Sequence, residues 1–166
     1  MKLQVVVAIA LLGSALHPSA TRAEDAVKGA PTHRVFLPND IHWEQAPPGF
    51  PPKTKIAVLH GDPTAKGPFA MRVLIPAGYS VPPHSHPEDE NVTVISGEIS
   101  VGVGDTFDAA KGSTLPAGSV SIMPAGLRHF LWTTMGAVIE VHGIGPWGIT
   151  FVNPEDDPRG TPPAAK

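Results

Sequence analysis

Short runs of β-forming residues follow one another along the chain from Lys55 onward, and turns containing Gly or Pro separate them. The runs recur at intervals of roughly 8–12 residues, a spacing typical of β-sandwiches and barrels. They predict strands at residues 55–60, 69–75, 80–86, 91–96, 99–103, 119–123, 128–133, 137–141 and 149–152. Because no amphipathic helical segment accompanies them, the pattern predicts an all-β fold in a single domain.

The two ends of the chain are less regular. Residues 33–37 and 41–43 predict short strands, whereas residues 46–52 (APPGFPP) are too rich in proline for a helix or a central strand. We expect this Pro-rich segment to be an extended arm that lies over the surface or reaches toward a partner. The expected organisation is an arm over residues 24–54, a barrel over residues 55–152, and a strap and loose tail over residues 153–166.

The first 23 residues are typical of a secretory signal peptide. Lys2 gives a positive start, residues 3–12 are almost entirely apolar, and residues 13–23 are small and polar. The apolar run is too short to span a bilayer as a permanent helix, so we expect no stable membrane anchor after cleavage. Ala23 is the expected cleavage position and Ala20 the second choice, whereas the alternative interpretation is a buried N-terminal helix. With cleavage, the mature protein is periplasmic or secreted.

Composition narrows the classes of partner and cofactor. The 166 residues are 42% hydrophobic and 16% charged, which provides enough apolar material for a buried core. Twelve basic and fifteen acidic residues give a net charge of −3, and loss of residues 1–23 removes two basic residues and lowers it to −5. A nucleic-acid partner is not expected, because such proteins carry a basic excess. The absence of cysteine excludes disulfides, thiolate catalysis, iron–sulfur clusters and Cys-rich zinc sites.

The most informative chemistry lies in the stretch GYSVPPHSHPEDE, residues 78–90. Residues two apart in a strand point to the same face, so His84 and His86 should present both imidazoles to one side. Glu90 begins the next run, where a chain reversal can bring its carboxylate to the same point. Two imidazoles and a carboxylate suit Fe(II), Mn(II), Ni(II) or Zn(II) and leave coordination positions open. An isolated His-x-His would instead indicate an exposed polar loop.

A second motif stands downstream, and the two together resemble the paired motifs of the cupin superfamily. The first pattern, G(x)5HxH(x)3E(x)6G, runs from Gly78 to Gly97, and the second, G(x)5PxG(x)2H, runs from Gly118 to His129. The second motif of cupins usually closes with Asn, where this chain has Thr133. That position is generally structural in the family, so the departure does not change the expected metal site.

The resemblance implies the cupin barrel, a double-stranded β-helix or jelly roll, with one divalent metal ion inside. Carried over residue by residue, the metal ligands are His84, His86, Glu90 and His129. Fe²⁺ or Mn²⁺ is the favoured ion, and Ni²⁺ or Zn²⁺ also suits these ligands. Glu88 and Asp89 lie beside Glu90, but only Glu90 has the spacing of the motif.

Two further residues are weak candidates for a catalytic role. His142 follows the strand at residues 137–141, either face of which can line the barrel, so it is a candidate for proton transfer or merely a strand-end histidine. Arg72 interrupts the apolar run at residues 69–75. If it points inward, it can bind an anionic ligand, and if it points outward, it belongs to the solvated face.

The metal site predicts a small-molecule function. Three histidines and one carboxylate around Fe(II) can bind a chelating substrate and dioxygen side by side, which suits an oxidoreductase of the dioxygenase type. The same ligands suit metal-dependent lyase, isomerase or decarboxylase chemistry. Many cupins have no demonstrated catalysis, so a non-catalytic cupin that binds a ligand or senses a metal is the other alternative.

The arm also predicts an assembly. Small barrels leave sheet edges and apolar outer faces that a partner can cover. A stiff Pro-rich segment loses little entropy when it docks. We therefore expect a homodimer in which residues 33–52 cross to, or pack beside, the neighbouring barrel. The alternative is that the arm folds back over its own barrel.

Overall fold

The computed structural model describes residues 32–160, and this part of the chain contains ten strands. They are β1 (Glu44–Gln45), β2 (Lys55–His60), β3 (Gly67–Ile75), β4 (Tyr79–Ser85), β5 (Glu90–Val103), β6 (Gly112–Pro116), β7 (Val120–Met123), β8 (His129–Thr133), β9 (Ala137–Gly145) and β10 (Thr150–Phe151). Short 3-10 helices occupy Pro38–Asp40, Ala109–Lys111 and Pro154–Asp156. The predicted all-β fold is confirmed.

The strands form one curled antiparallel sheet in the order β1-β2-β3-β9-β5-β8-β4-β10. The 14-residue strand β5 holds the two halves of the barrel together. Its first half pairs with β9 and β7, and its second half pairs with β8 and β6. Glu90 is the first residue of β5 and pairs with Met123 of β7.

Alternation along β3 and β9 builds the apolar interior. Every second residue of β3 from Phe69 to Ile75 is buried, as are Ile139 and Val141 of β9, which face it across the ladder. Burial of each large apolar side chain stabilises the fold by roughly 1.5–3 kcal/mol. Val92, Val94, Ile99, Met123 and Leu131 extend the same core. The interior of the barrel is therefore mainly apolar, and only a few of the buried residues described are polar.

The predicted break between residues 96 and 99 is a bend within one strand. The register of β5 against β9 shifts between Val94 and Ser96, and Gly97 has φ +72°. A Cβ at Gly97 would lie 2.3 Å from the carbonyl oxygen of Gly136, so only glycine fits this crossing. The prediction of two separate strands here was wrong, because the turn signal marks the bend at which β5 passes from one half of the barrel to the other.

Other differences from the predicted strands lie near the N-terminus and at β6. Residues 33–37 and 41–43 are not strands, and the strand in that region is β1. Strand β6 was not predicted, because its sequence GSTLP has no apolar alternation. It forms nonetheless because it pairs along the second half of β5.

The described part of the arm folds back over its own barrel, which was the alternative to a crossing arm. Ala46 N donates to Thr54 O (3.0 Å), and the Phe50 ring lies 6.1 Å from that of Trp147, between centroids. Phe50 also packs against the core cluster. The homodimer itself stays a prediction.

The predicted signal peptide and the end of the tail lie outside the described residues. Of the described tail, Val152 N donates to Pro83 O (2.8 Å) and Arg159 Nη2 donates to Ile149 O (2.8 Å). Among residues 32–160, no helix is long and apolar enough to cross a membrane.

Candidate metal centre

Three histidines meet inside the barrel because β4 and β8 are neighbours. His84 of β4 pairs directly with His129, the first residue of β8, and His86 follows β4. One ring nitrogen from each lies within 4.8 Å of the other two, and all three residues are buried. The structure therefore brings together the three histidines that the spacing singled out.

Backbone carbonyls fix the orientation of each imidazole. Nδ1 donates to Pro82 O in His84 (2.7 Å), to Gly148 O in His86 (2.6 Å) and to Leu127 O in His129 (3.0 Å). A carbonyl oxygen only accepts, so Nδ1 carries the hydrogen and the lone pair is left on Nε2. Metal-binding histidines are held by the same kind of outer hydrogen bond.

Burial keeps at least one of these rings uncharged. Desolvation, together with the neighbouring His129, lowers the pKa of His84 to about 3. At neutral pH this imidazole is therefore a neutral ligand, the form that binds metal ions.

Glu90 places a carboxylate against the same point. Its Oε2 lies 3.3 Å from His86 Nε2 and 3.5 Å from His129 Nε2. Burial by itself would raise the pKa of Glu90, but the contacts with His129 and His86 outweigh it and lower the pKa to about 2. The carboxylate is therefore ionised at neutral pH.

The donor set fits a divalent cation. Although it lies near Glu90, His86 Nε2 is buried and has no hydrogen-bond partner within residues 32–160. A buried nitrogen without a partner is costly, and a cation bound by that nitrogen and by the nearby carboxylate would remove the cost. Three imidazoles can bind Fe²⁺, Mn²⁺, Ni²⁺ or Zn²⁺, with the carboxylate of Glu90 within reach of two of them.

The histidines open onto an apolar cavity of about 70 Å³. Since a single water needs roughly 10–15 Å³ of such space, the cavity can hold a small molecule of several heavy atoms. Its walls include Val73, Ile139, Val141 and Leu131, and the Trp147 ring stacks on His86 with centroids 4.7 Å apart. This environment excludes bulk water from the histidine cluster.

Residues 35–143 match the family described as Domain of unknown function (DUF4437). The chain belongs to this family. The matched residues include the three histidines and Glu90. Together with the structural likeness below, the match confirms the cupin superfamily and the double-stranded β-helix expected from the motifs.

Two curated relatives are germin-like proteins of Oryza sativa subsp. japonica. Germin-like protein 1-2 is 27% identical over 160 residues, covering 77% of this chain and 69% of that protein. Germin-like protein 3-1 is 36% identical over 69 residues, or 41% of this chain. The chain spans only 31% of the length of that second relative.

Solved structures share the fold at low identity. The polyketide cyclase RemF from Streptomyces resistomycificus has a TM-score of 0.64 at 18% identity, covering 76% of this chain and 90% of that one. A candidate acetylacetone dioxygenase from Methylibium petroleiphilum PM1 has a TM-score of 0.56 at 23% identity, with coverages of 78% and 88%. An RmlC-like cupin from Shewanella frigidimarina NCIMB 400 has a TM-score of 0.52 at 18% identity, with coverages of 68% and 91%.

In this cupin, the two weak catalytic candidates lie outside the cavity. Arg72 faces outward, where its Nε donates to Glu140 Oε2 (3.2 Å) across the β3–β9 ladder. His142 is exposed on the same outer face of β9, because Val141 beside it points inward. Arg72 therefore belongs to the solvated face, and His142 is an exposed strand residue that does not line the cavity.

Other polar residues of the two motifs lie outside the histidine cluster. Glu88 is exposed, and Asp89 is exposed and accepts a hydrogen bond from Ala125 N (2.8 Å), so Glu90 is the buried acid of the run. The Thr133 hydroxyl donates to Glu98 O (2.8 Å) and accepts from Gly136 N (3.0 Å), which ends β8 at a turn.

Three aromatic or hydroxyl-bearing residues of the cavity were not predicted as site residues: Phe50, Thr54 and Trp147. They come from the arm and from the loop after β9, about a hundred residues apart in the sequence. No motif or period links them, so only the folded arrangement reveals that they share a cavity.

Proposed function

We propose that this chain is an exported, metal-dependent cupin enzyme of the oxidoreductase or dioxygenase type that acts on a small chelating molecule. His84, His86, His129 and Glu90 hold one divalent ion, with Fe²⁺ or Mn²⁺ favoured over Ni²⁺ and Zn²⁺. The observation that carries the proposal is the convergence of three buried imidazoles and the Glu90 carboxylate on an apolar cavity.

The residues around the ion have distinct tasks. A bound divalent metal supplies Lewis acidity and open coordination positions. Pro82, Gly148 and Leu127 orient the three imidazoles through their carbonyls, so the ligands need little rearrangement. The apolar walls and the Trp147 ring exclude water from a reactive site.

Enzymes among the structural neighbours support this class. Two structural neighbours are named as a polyketide cyclase and as a candidate acetylacetone dioxygenase. Their likeness to this chain is one of fold, and the proposed reaction type rests on the donor set.

A non-catalytic cupin that binds a ligand or senses a metal is the second candidate. Among the described residues that line the cavity, the titratable side chains all belong to the proposed metal site. An acid or base separate from the ligands is therefore missing there, which disfavours lyase or isomerase chemistry that needs one and suits a binding role.

Metal content tests the first step of the proposal. The purified mature protein should hold about one divalent ion per chain by elemental analysis. His86→Ala should lose most of it, whereas His60→Ala, at an exposed position, should keep it. A protein that takes up none of Fe, Mn, Ni or Zn contradicts the metal site.

Oxygen consumption separates the two candidates. The protein reconstituted anaerobically with Fe(II) should consume dioxygen with a compound from a panel of small chelating metabolites, and His129→Ala should not. Thermal stabilisation by a compound without turnover would instead establish a binding cupin.

Export and assembly complete the proposal. Cell fractionation with N-terminal mass analysis should find the protein in the periplasm or medium, starting after Ala23. A cytoplasmic, uncleaved chain contradicts export.

Light scattering should find a homodimer. A monomer contradicts it, and a dimer that persists in a chain starting at Lys53 shows that the arm does not form it.

A further inference from the structure

Two of the described residues that line the cavity, besides the histidines, each have a buried polar atom without a hydrogen-bond partner. Within residues 32–160, Thr54 Oγ1 and Trp147 Nε1 have no hydrogen-bond partner, although both residues line the cavity. Unpaired buried donors are costly and rare in native proteins. A bound molecule with oxygen atoms would satisfy both.

The backbone holds Thr54 firmly in this position. Its N–H donates to Pro51 O (3.1 Å), and its carbonyl accepts from Ala46 N (3.0 Å) and from Gln45 Nε2 (3.0 Å). The preceding Lys53 has φ +70°, a strained conformation for a residue with a side chain. Thr54 is only 1% exposed, so solvent does not satisfy its hydroxyl.

Packing holds Trp147 equally well. The ring stacks on His86 at an interplanar angle of 17°, and the rings of Phe50 and Phe69 lie 6.1 and 6.2 Å away. The backbone N–H donates to Pro63 O (2.7 Å). Because an indole N–H can only donate, the molecule that satisfies it must carry an acceptor.

The side chains of the cavity wall limit the charge that a bound ligand can carry. Among the described cavity-lining residues there is no lysine or arginine, and Arg72 is paired on the outer face. A second charged group on the ligand would therefore lie against apolar side chains without a counter-ion.

We infer that Trp147 and Thr54 are specificity-determining residues that hydrogen-bond the oxygens of a small, uncharged, mainly apolar carbonyl compound bound at the metal site. This inference deepens the proposed function and rests on it for the metal. Each hydrogen bond should strengthen binding by roughly tenfold.

The test compares two probes of seven heavy atoms by calorimetry under nitrogen: pentane-2,4-dione, which is uncharged, and malonate, in which charged oxygens replace both methyl groups. The metal-loaded protein should bind the diketone at least tenfold more tightly than malonate. Trp147→Phe and Thr54→Val should each weaken diketone binding roughly tenfold without changing metal content. Equal binding of the two probes, or unchanged diketone affinity in both variants, overturns the inference.

Stability of the ligand-free protein provides a second readout. Thr54→Val should melt at the same or a higher temperature than wild type, because it removes an unpaired hydroxyl. Thr133→Val is the matched control: its hydroxyl is buried and fully paired, so it should melt several degrees lower while diketone affinity stays unchanged. A Thr54→Val variant destabilised as much as Thr133→Val shows that the hydroxyl has a structural partner and overturns its role.

The experiments distinguish a failure of the proposed metal-dependent enzyme from a failure of the proposed recognition residues. If the protein holds no metal but still binds the diketone, and Trp147→Phe weakens that binding, the recognition residues stand and the proposed enzyme does not. If metal and oxygen uptake are as proposed but the variants bind the diketone like wild type, the recognition residues are wrong.

Discussion

The two faces of strand β8 contrast in how their side chains are satisfied. On the inner face, His129 Nε2 lies 3.5 Å from Glu90 Oε2, beside two other buried histidines. On the outer face, the rings of Phe130 and Trp132 stack with centroids 6.0 Å apart, and the Phe107 ring lies 5.0 and 5.4 Å from them. One strand thus separates an outer face of packed aromatic rings from an inner face that carries the candidate metal ligands.

Glycines on neighbouring strands show how tightly the outer face is packed. A Cβ at Gly102 would lie 2.2 Å from the Phe130 ring, and one at Gly112 would lie 2.0 Å from the Trp132 ring. The contrast teaches that substitutions on the outer face should change stability, whereas substitutions on the inner face should change ligand binding. The experiments below use this separation.

Phe130→Ala should have the largest effect. Phe130 has 0% exposure, and loss of such a ring costs about 3–5 kcal/mol of unfolding free energy. Urea unfolding measures the loss, and the folded fraction should still bind one metal. A loss below about 1 kcal/mol would show that the outer cluster does not stabilise the barrel.

Metal should stabilise the wild-type fold from the inner face. A metal present at roughly a hundred times its dissociation constant adds about 2.7 kcal/mol, because it binds only the folded chain. Thermal melts with and without chelator measure this term. His86→Ala should lose the increment, and an equal increment in that variant would mean that the metal binds elsewhere.

Gly102→Ala should cost about 1–3 kcal/mol, since the new methyl group overlaps a fully buried ring. The control is Gly148→Ala, where a Cβ meets nothing within 4 Å. Urea unfolding compares the two. Equal stability of both variants would show that the outer face tolerates added volume.

Glu90→Gln should have the smallest effect on stability and the most informative sign. Without metal, the amide carries no charge for His129 and His86 to stabilise, and in wild type these contacts outweigh the burial of the carboxylate, so the unfolding free energy should fall by about 1 kcal/mol. Metal affinity should fall. Urea unfolding in chelator tests the first point, and an unchanged or higher unfolding free energy would show that the contacts with His129 and His86 do not stabilise the fold.

The sequence predicts the inner face better than its surroundings for a physical reason. His84, His86 and Glu90 lie at the end of β4, in the turn after it and at the start of β5, so their spacing is local, and His129 belongs to a second local motif. Strand β6 was not predicted because its pairing with β5, not its own residues, makes it a strand.

Long-range packing determines the features that the sequence does not predict. The register of β9 with β3 determines which face of β9 points inward. In this register Glu140 lies opposite Arg72 on the outer face, and His142 lies on the same face. Thr54 and Trp147 meet in the cavity only because the arm folds back. Such positions carry no periodic signal.

X-ray absorption of the metal-loaded protein tests the central claim most directly. If the three histidines and Glu90 hold the ion, the first shell should contain about three imidazole nitrogens and at least one oxygen near 2.0–2.2 Å, and His129→Ala should lose one imidazole. A shell of oxygens alone, or one that His129→Ala leaves unchanged, would contradict the account.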